Sequence, residues 1–133
     1  MVYCLFEQSG TFKNFLRSKG YEAVDVDLEN RFEQTDIQLD LFKEIHEDFG
    51  FIEKITPEDF VFAFFPCTCF SAQFNFELHA NAHQYKNYSE IEKIYKSMNA
   101  HAKRDSYYKT FCLFYTKLLR NKIRAVIENP YHD

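Results

Sequence analysis

The most constraining stretch of this 133-residue chain is Phe60-Val61-Phe62-Ala63-Phe64-Phe65, an unbroken apolar run that stops at Pro66-Cys67. A half-buried strand alternates apolar and polar side chains, so a continuous run predicts a strand covered on both faces. Such strands belong to parallel sheets, whose neighbours are joined by long, usually helical, crossovers. The rest of the sequence supplies both parts. Val2 to Phe6 reads as a short buried strand, and Glu7 to Thr11 as a polar turn. Phe12, Phe15 and Leu16 follow at helical spacing, with Gly20 where a helix-terminating glycine belongs. Glu22 to Leu28 reads as a second strand and Ile37 to Leu41 as a weaker one with Asp40 near its end. Phe42, Ile45 and Phe49 form a helical stripe closed by Gly50, and Thr56 to Asp59 a capped turn.

Beyond the proline, residues 72–88 give no clear assignment. Ser89 and Glu92 have capping-box spacing, so 89–121 reads as one long helix or two abutting helices. Ile91, Ile94, Tyr95 and Met98 share one face of it, and Tyr108, Phe111, Cys112, Tyr115, Leu118 and Leu119 continue the spacing. Arg124 to Ile127 is a last strand, ending at Glu128-Asn129-Pro130. Strands alternating with helices predict one α/β domain over 1–133, a doubly wound, mostly parallel sheet of about five strands.

Composition narrows the class. No apolar run approaches the ~20 residues of a membrane span, and the N-terminus lacks a basic-then-apolar export pattern. A cytoplasmic chain with reduced cysteines is therefore expected. The formal net charge of −4 hides a split. Residues 1–85 carry six basic and fifteen acidic side chains, whereas 86–124 carry ten basic and three acidic ones. A cationic helix beside an acidic body suits either a solvated face or a phosphate backbone.

In open parallel sheets, ligands bind outside the carboxyl ends of the strands. The turn at 7–11, Asp27, Asp40, Cys67 and Glu128 all fall there, which brings polar and reactive positions from distant parts of the chain to one edge. Gly10 in a strand–turn–helix lets backbone amides approach a ligand, or marks an ordinary turn. Asp27 is placed to accept hydrogen bonds from ribose hydroxyls, or faces water as a strand-end acid. Cys67, held by Pro66, is a candidate nucleophile or a small buried hydrophobe. Glu128, at the end of an apolar strand, is either partly desolvated and suited to proton exchange with a ring nitrogen, or a strand-end acid that faces water. Cys67 and Cys69, with His79 and His83, offer a zinc alternative, but C-x-C lacks the usual two-residue spacer and no metal is expected.

Taken together, these residues resemble a known family. Phe65-Pro66-Cys67-Thr68-Cys69-Phe70-Ser71 resembles the Pro-Cys motif of DNA (cytosine-5) methyltransferases, and Val126-Ile127-Glu128-Asn129-Pro130 is similar to their Glu-Asn motif in its phage-type form. Leu5-Phe6-Glu7-Gln8-Ser9-Gly10-Thr11-Phe12 is similar to their cofactor loop, with Gln8 where the first loop glycine usually stands. The motifs span residues 1–131 in the family's order.

The resemblance implies the Rossmann-like methyltransferase fold and a methyl donor, S-adenosylmethionine. It implies that Cys67 attacks carbon 6 of a flipped-out cytosine while Glu128 stabilises the protonated nitrogen 3. Phe6, Gly10, Asp27, Leu28, Asp40, Leu41 and Pro66 would surround the cofactor. Asp27 would hold the ribose and Asp40 the adenine amino group, with Leu28 and Leu41 packed on the adenine ring. Ser71 and Asn129 would touch the substrate, which is DNA, as in restriction-modification and phage enzymes. The family's later arginine motif, its target-recognition domain and the strands that complete the sheet are not found in 1–133. The expected consequence is an open sheet edge that invites a second copy or a complementing subunit. Two alternatives accompany this one: an inactive binding module or half-enzyme that needs a partner, and a methyltransferase acting on an amino group. The last usually requires an acid or Asn before Pro-Pro-aromatic, where this chain has Phe-Pro-Cys.

Overall fold

The computed structural model describes residues 1–47, 50–71, 73–81 and 83–128. They fall into two compact units. One comprises Met1–Phe65 with Thr110–Glu128, and the other begins at Pro66 and runs to Lys109.

The first unit is an α/β layer structure. Strands β1 (Val2–Leu5), β2 (Ala23–Asp27), β3 (Ile37–Gln38), β4 (Phe60–Phe64) and β5 (Arg124–Glu128) form one sheet. Its order is β3-β2-β1-β4-β5, and every neighbouring pair is parallel. The arrangement is consistent with a Rossmann-like fold. The chain winds outward from β1 to β3 and then returns to the other side of β1. The reversal falls between β1 and β4, and open parallel sheets take their ligands outside the carboxyl ends of the strands at such a point.

Register explains which residues share a face. Leu5 lies beside Val26 and Ala63, and Ala63 beside Ile127. Leu5, Val26, Val61, Ala63 and Phe65 are buried on this face. They are covered by helix α2 (Leu41–His46) and by the C-terminal part of the long helix described below. Phe65 stacks on Phe42 at 5.6 Å and on Phe114 at 6.4 Å, with Phe111 edge-on at 5.3 Å. The opposite face carries Cys4, Asp25, Phe62 and Phe64, and helix α1 (Thr11–Ser18) packs on it. Phe12 of α1 meets Phe62 at 4.5 Å and Phe64 at 5.6 Å, edge to face in both cases. Helices on both faces are what the Phe60–Phe65 run demands.

That second face also buries charge. Lys13 and Asp25 are nearly inaccessible, and the Lys13 ammonium lies 3.1 Å from Asp25 and 3.3 Å from Asp36. Lys13 also donates to the Gln34 carbonyl, and Arg17 reaches Asp36 at 2.8 Å. Reciprocal bonds between the Asp25 and Asp36 backbone amides and each other's carboxylates fasten the β2–β3 connection to the strand. Burial alone would raise the Asp36 pKa. The Asp25 amide and the Lys13 and Arg17 cations outweigh it and hold the carboxyl below its ordinary range.

The second unit starts where β4 leaves the sheet. It contains α3 (Phe74–Leu78), a single 3₁₀ turn at His83–Tyr85, and most of α4 (Glu90–Arg120). Among its described residues, the region without a sequence assignment therefore holds a short helix and a 3₁₀ turn. Helix α4 is continuous across the alternatives one or two. Its capping box forms, with the Ser89 amide donating to Glu92 at 2.7 Å and the Glu92 amide to Ser89 Oγ at 3.2 Å. Cys69, Phe74, Leu78 and Ala100 form a small core, with Tyr107 against it. Two local expectations need correction. The weak strand ends at Gln38, because Asp40 caps α2 by accepting the Lys43 amide at 3.2 Å. Helix α2 stops at His46, and Phe49 lies outside the described residues. Ile91, Ile94, Tyr95 and Met98 share a face but are more than half exposed. Helical spacing shows which residues share a side, not what covers it. No helix among the described residues is long and apolar enough to cross a membrane.

Candidate functional site

The carboxyl end of β1 is strained. Phe6 has φ 62, the left-handed region that a bulky side chain rarely adopts. The twist sends its ring among Phe42, Phe65 and Phe114, at 5.4 to 6.2 Å. The chain then turns through Glu7 to Gly10, whose own φ is 67. A Cβ on Gly10 would stand 2.9 Å from Gln34 Cβ, so both the dihedral and the space require glycine.

Glu7 has a role that the sequence reading missed. Its carboxylate accepts the Phe12 amide at 2.6 Å and the Lys13 amide at 3.2 Å. The helix N-terminus that a nucleotide phosphate would occupy is thus filled by the protein's own carboxylate. The available signal was an acid lying just before the first turn of a helix that lacks a capping side chain of its own. Glu7, Ser9, Thr11, Phe12, Phe15 and Phe64 line a cavity of about 450 Å³ beside this loop.

Asp27 closes β2. It is buried, and its Oδ1 accepts the Glu29 amide at 2.9 Å. Burial raises its pKa, as do the Glu29 and Asp25 charges, while the Glu29 and Leu28 amides pull it back in part. The result is a carboxylate at a strand end with one oxygen engaged in a turn. Next to it, Leu28 is 56% exposed, an apolar side chain open to a flat ligand. Leu41 differs: it is 2% exposed and belongs to the core under α2. Asp40 is exposed, with one oxygen committed to capping α2.

In the second unit, the segment after Pro66 sorts two neighbouring thiols. The Phe70 amide donates to the Cys67 carbonyl at 2.8 Å and closes a tight turn. Cys67 is exposed, whereas Cys69 is 1% exposed within the Phe74–Leu78–Ala100 core. Burial raises the Cys69 pKa despite nearby Lys103 and Arg104. Cys4 is also sealed, its thiol pushed up to about 12 chiefly by burial, with Glu7 and Asp25 adding to the shift. A nucleophile must be a reachable thiolate, which disqualifies both buried thiols. Ser71 is half-buried and donates to the Thr68 carbonyl at 3.4 Å. Helix α3 begins only at Phe74, so no helix terminus follows Cys67 directly. A cavity of about 410 Å³ in this unit runs past Thr68, Phe74, Glu77, Tyr85, Lys96 and Lys103.

Glu128 is the last residue of β5 and stands in register with Phe64, three positions before Cys67 in the sequence. Of the two readings of this acid the exposed one holds: among the described residues β5 is an edge strand, and Glu128 at its end is exposed rather than partly desolvated. Asn129 lies outside the described residues. Among the described residues, no cluster of three or more His, Cys, Asp or Glu side chains is placed to hold a metal ion. Comparison with protein families, with curated proteins and with solved structures returns no match.

Proposed function

We propose that this chain carries the catalytic core of a DNA (cytosine-5) methyltransferase. The reading rests on one observation above all. A turn directly after the central strand exposes Cys67 while burying Cys69, and the neighbouring strand ends on the carboxylate of Glu128. A soft nucleophile and an acid are the two groups needed to activate a pyrimidine ring for substitution at carbon 5.

The groups at the carboxyl ends of β1 and β2 favour S-adenosylmethionine over a dinucleotide in this reading. Glu7 already fills the α1 N-terminus and would repel a pyrophosphate. Asp27 can accept ribose hydroxyls, and Leu28 can lie against the adenine ring. Phe6 and Gly10 would shape the loop beside it, and Asp40 would use its second oxygen on the adenine amino group. When bound, the cofactor supplies an activated methyl group. Every other step belongs to the chain and the DNA. The Cys67 thiolate adds to carbon 6 of an extruded cytosine. The electron pair moves to carbon 5, which becomes nucleophilic, and Glu128 holds the proton at nitrogen 3. After carbon 5 is methylated it loses its proton, and the Cys67 thiolate is expelled as the double bond re-forms. The cationic side chains of α4 would meet DNA phosphates. The enzyme would work in the cytoplasm, where its free thiols stay reduced.

The test is methyl transfer from labelled S-adenosylmethionine to duplex DNA of mixed sequence. Label is expected in 5-methylcytosine, reduced at least a thousandfold by Cys67→Ala and about a hundredfold by Glu128→Gln. Label that survives Cys67→Ala, or label on another base, contradicts the reading.

A further inference from the structure

We propose that β5 pairs with β5 of a second copy of this chain, antiparallel about Val126, to form a symmetric dimer with one continuous sheet. The inference goes beyond the methyltransferase reading and does not depend on it.

The sheet has two edges of different character. β3 is two residues long and offers little to pair with. β5 is five regular residues with no proline and no lysine, the usual guards of an exposed edge. Its sequence, Arg124-Ala125-Val126-Ile127-Glu128, is self-complementary. In a two-fold pairing centred on Val126, Arg124 of each copy stands opposite Glu128 of the other. Ala125 stands opposite Ile127, a small residue against a large one, and Val126 meets itself. Opposite charges directly across an antiparallel pair stabilise it, and like charges destabilise it. Arg124 donates to the Glu58 carbonyl at 3.1 Å through one terminal nitrogen, which leaves the rest of its guanidinium fork for a carboxylate.

Other registers are worse. A slip of one residue turns each strand's outward face toward the wrong side of its partner. A slip of two toward the N-terminus needs Lys122 in the strand, but its φ of 54 is not extended. The surfaces flanking β5 also need a cover. On one face, Phe111, Tyr115, Leu119, Ile123, Ala125 and Ile127 line an open apolar groove of about 440 Å³. On the other, Val126 is 49% exposed. Two-fold pairing brings each groove against its counterpart, so the interface extends well beyond the strands themselves.

Charge reversal tests this by native mass spectrometry and light scattering of the full chain. Wild type is expected to be dimeric at micromolar concentration. Arg124→Glu places two acids opposite each other twice, and Glu128→Arg does the same with two bases. Each single variant should weaken the dimer on the order of tenfold or more. An equimolar mixture of the two variants should form the heterodimer, and the double variant Arg124→Glu/Glu128→Arg should dimerise again, because both restore opposite charges. A monomeric wild type overturns the proposal. So do single variants that dimerise like wild type, or a mixture and double variant that fail to recover. The readout is mass, so it is separate from any failure of methyl transfer.

Discussion

Asp25 and Asp27 lie two residues apart on β2, and their surroundings give them different roles. Asp25 is fully enclosed and serves the fold. Its carboxylate takes the Lys13 ammonium and the Asp36 amide, while its second oxygen has no hydrogen-bond partner among the described residues. Removing one member of a buried pair strands the other charge. Lys13→Met is therefore expected to cost about 3 kcal/mol or more in urea unfolding. Lys13→Met/Asp25→Leu should recover most of that loss, and a single variant costing under about 1 kcal/mol would contradict the role. Asp27 is the acid left for a ligand. If its ionised form accepts ribose hydroxyls, Asp27→Ala should weaken S-adenosylmethionine by about 10- to 100-fold in calorimetry. Burial raises its pKa, so its charge is lost at a higher pH than for an ordinary Asp. Affinity should be full above that raised value and fall as pH drops through it, and Asp27→Asn should flatten the profile. The sequence shows both acids in one strand. It cannot show that Lys13, twelve residues away from Asp25, neutralises one of them, because that pairing exists only once α1 packs on the sheet.

At the scale of elements, the loop from β1 to α1 has the least freedom. Phe6 and Gly10 both sit at positive φ, and Glu7 closes the helix end between them. Gly10→Ala is expected to cost about 1–2 kcal/mol and to weaken cofactor binding, since alanine is strained there and its methyl meets Gln34. A variant as stable as wild type would show that the loop relaxes freely. This loop was legible as a βα turn from its residues, β1 and β4 from their apolar runs, and β2 from its alternation. The cap was not, because a Glu five residues before the amide it accepts has no periodic signature. Helix α4 shows the reverse case. Its extent was readable from the capping box and the spacing, but the burial of its apolar face was not. Ile91, Ile94, Tyr95 and Met98 stand exposed, whereas Phe114 and Leu118 are buried against the sheet.

Across the whole molecule, charge is divided along the chain. Acidic residues dominate up to residue 85 and basic ones from 86 to 124. In the structure the basic stretch is chiefly α4. Part of its charge rests on aromatic rings, with Lys96 5.9 Å above both Tyr85 and Tyr88 and Lys103 5.7 Å from Tyr107. The parallel sheet was foreseeable because a strand buried on both faces has few other homes. The candidate site was legible only as a set of strand ends, since cavities and exposure depend on how loops fold back. Hence Cys67 was legible as a position, but its exposure, and the burial of Cys69 beside it, were not.

The central claim is that the Cys67 sulfur is the nucleophile toward a cytosine ring. It is tested most directly with duplex DNA of mixed sequence carrying 5-fluorocytosine, whose fluorine prevents expulsion of the thiol. With S-adenosylmethionine present, the protein should form a denaturation-resistant adduct, mapped by peptide mass to Cys67. The adduct should vanish in Cys67→Ala and persist when the other exposed thiol is removed by Cys112→Ala. No adduct with wild type, or an adduct at Cys112, would contradict the account.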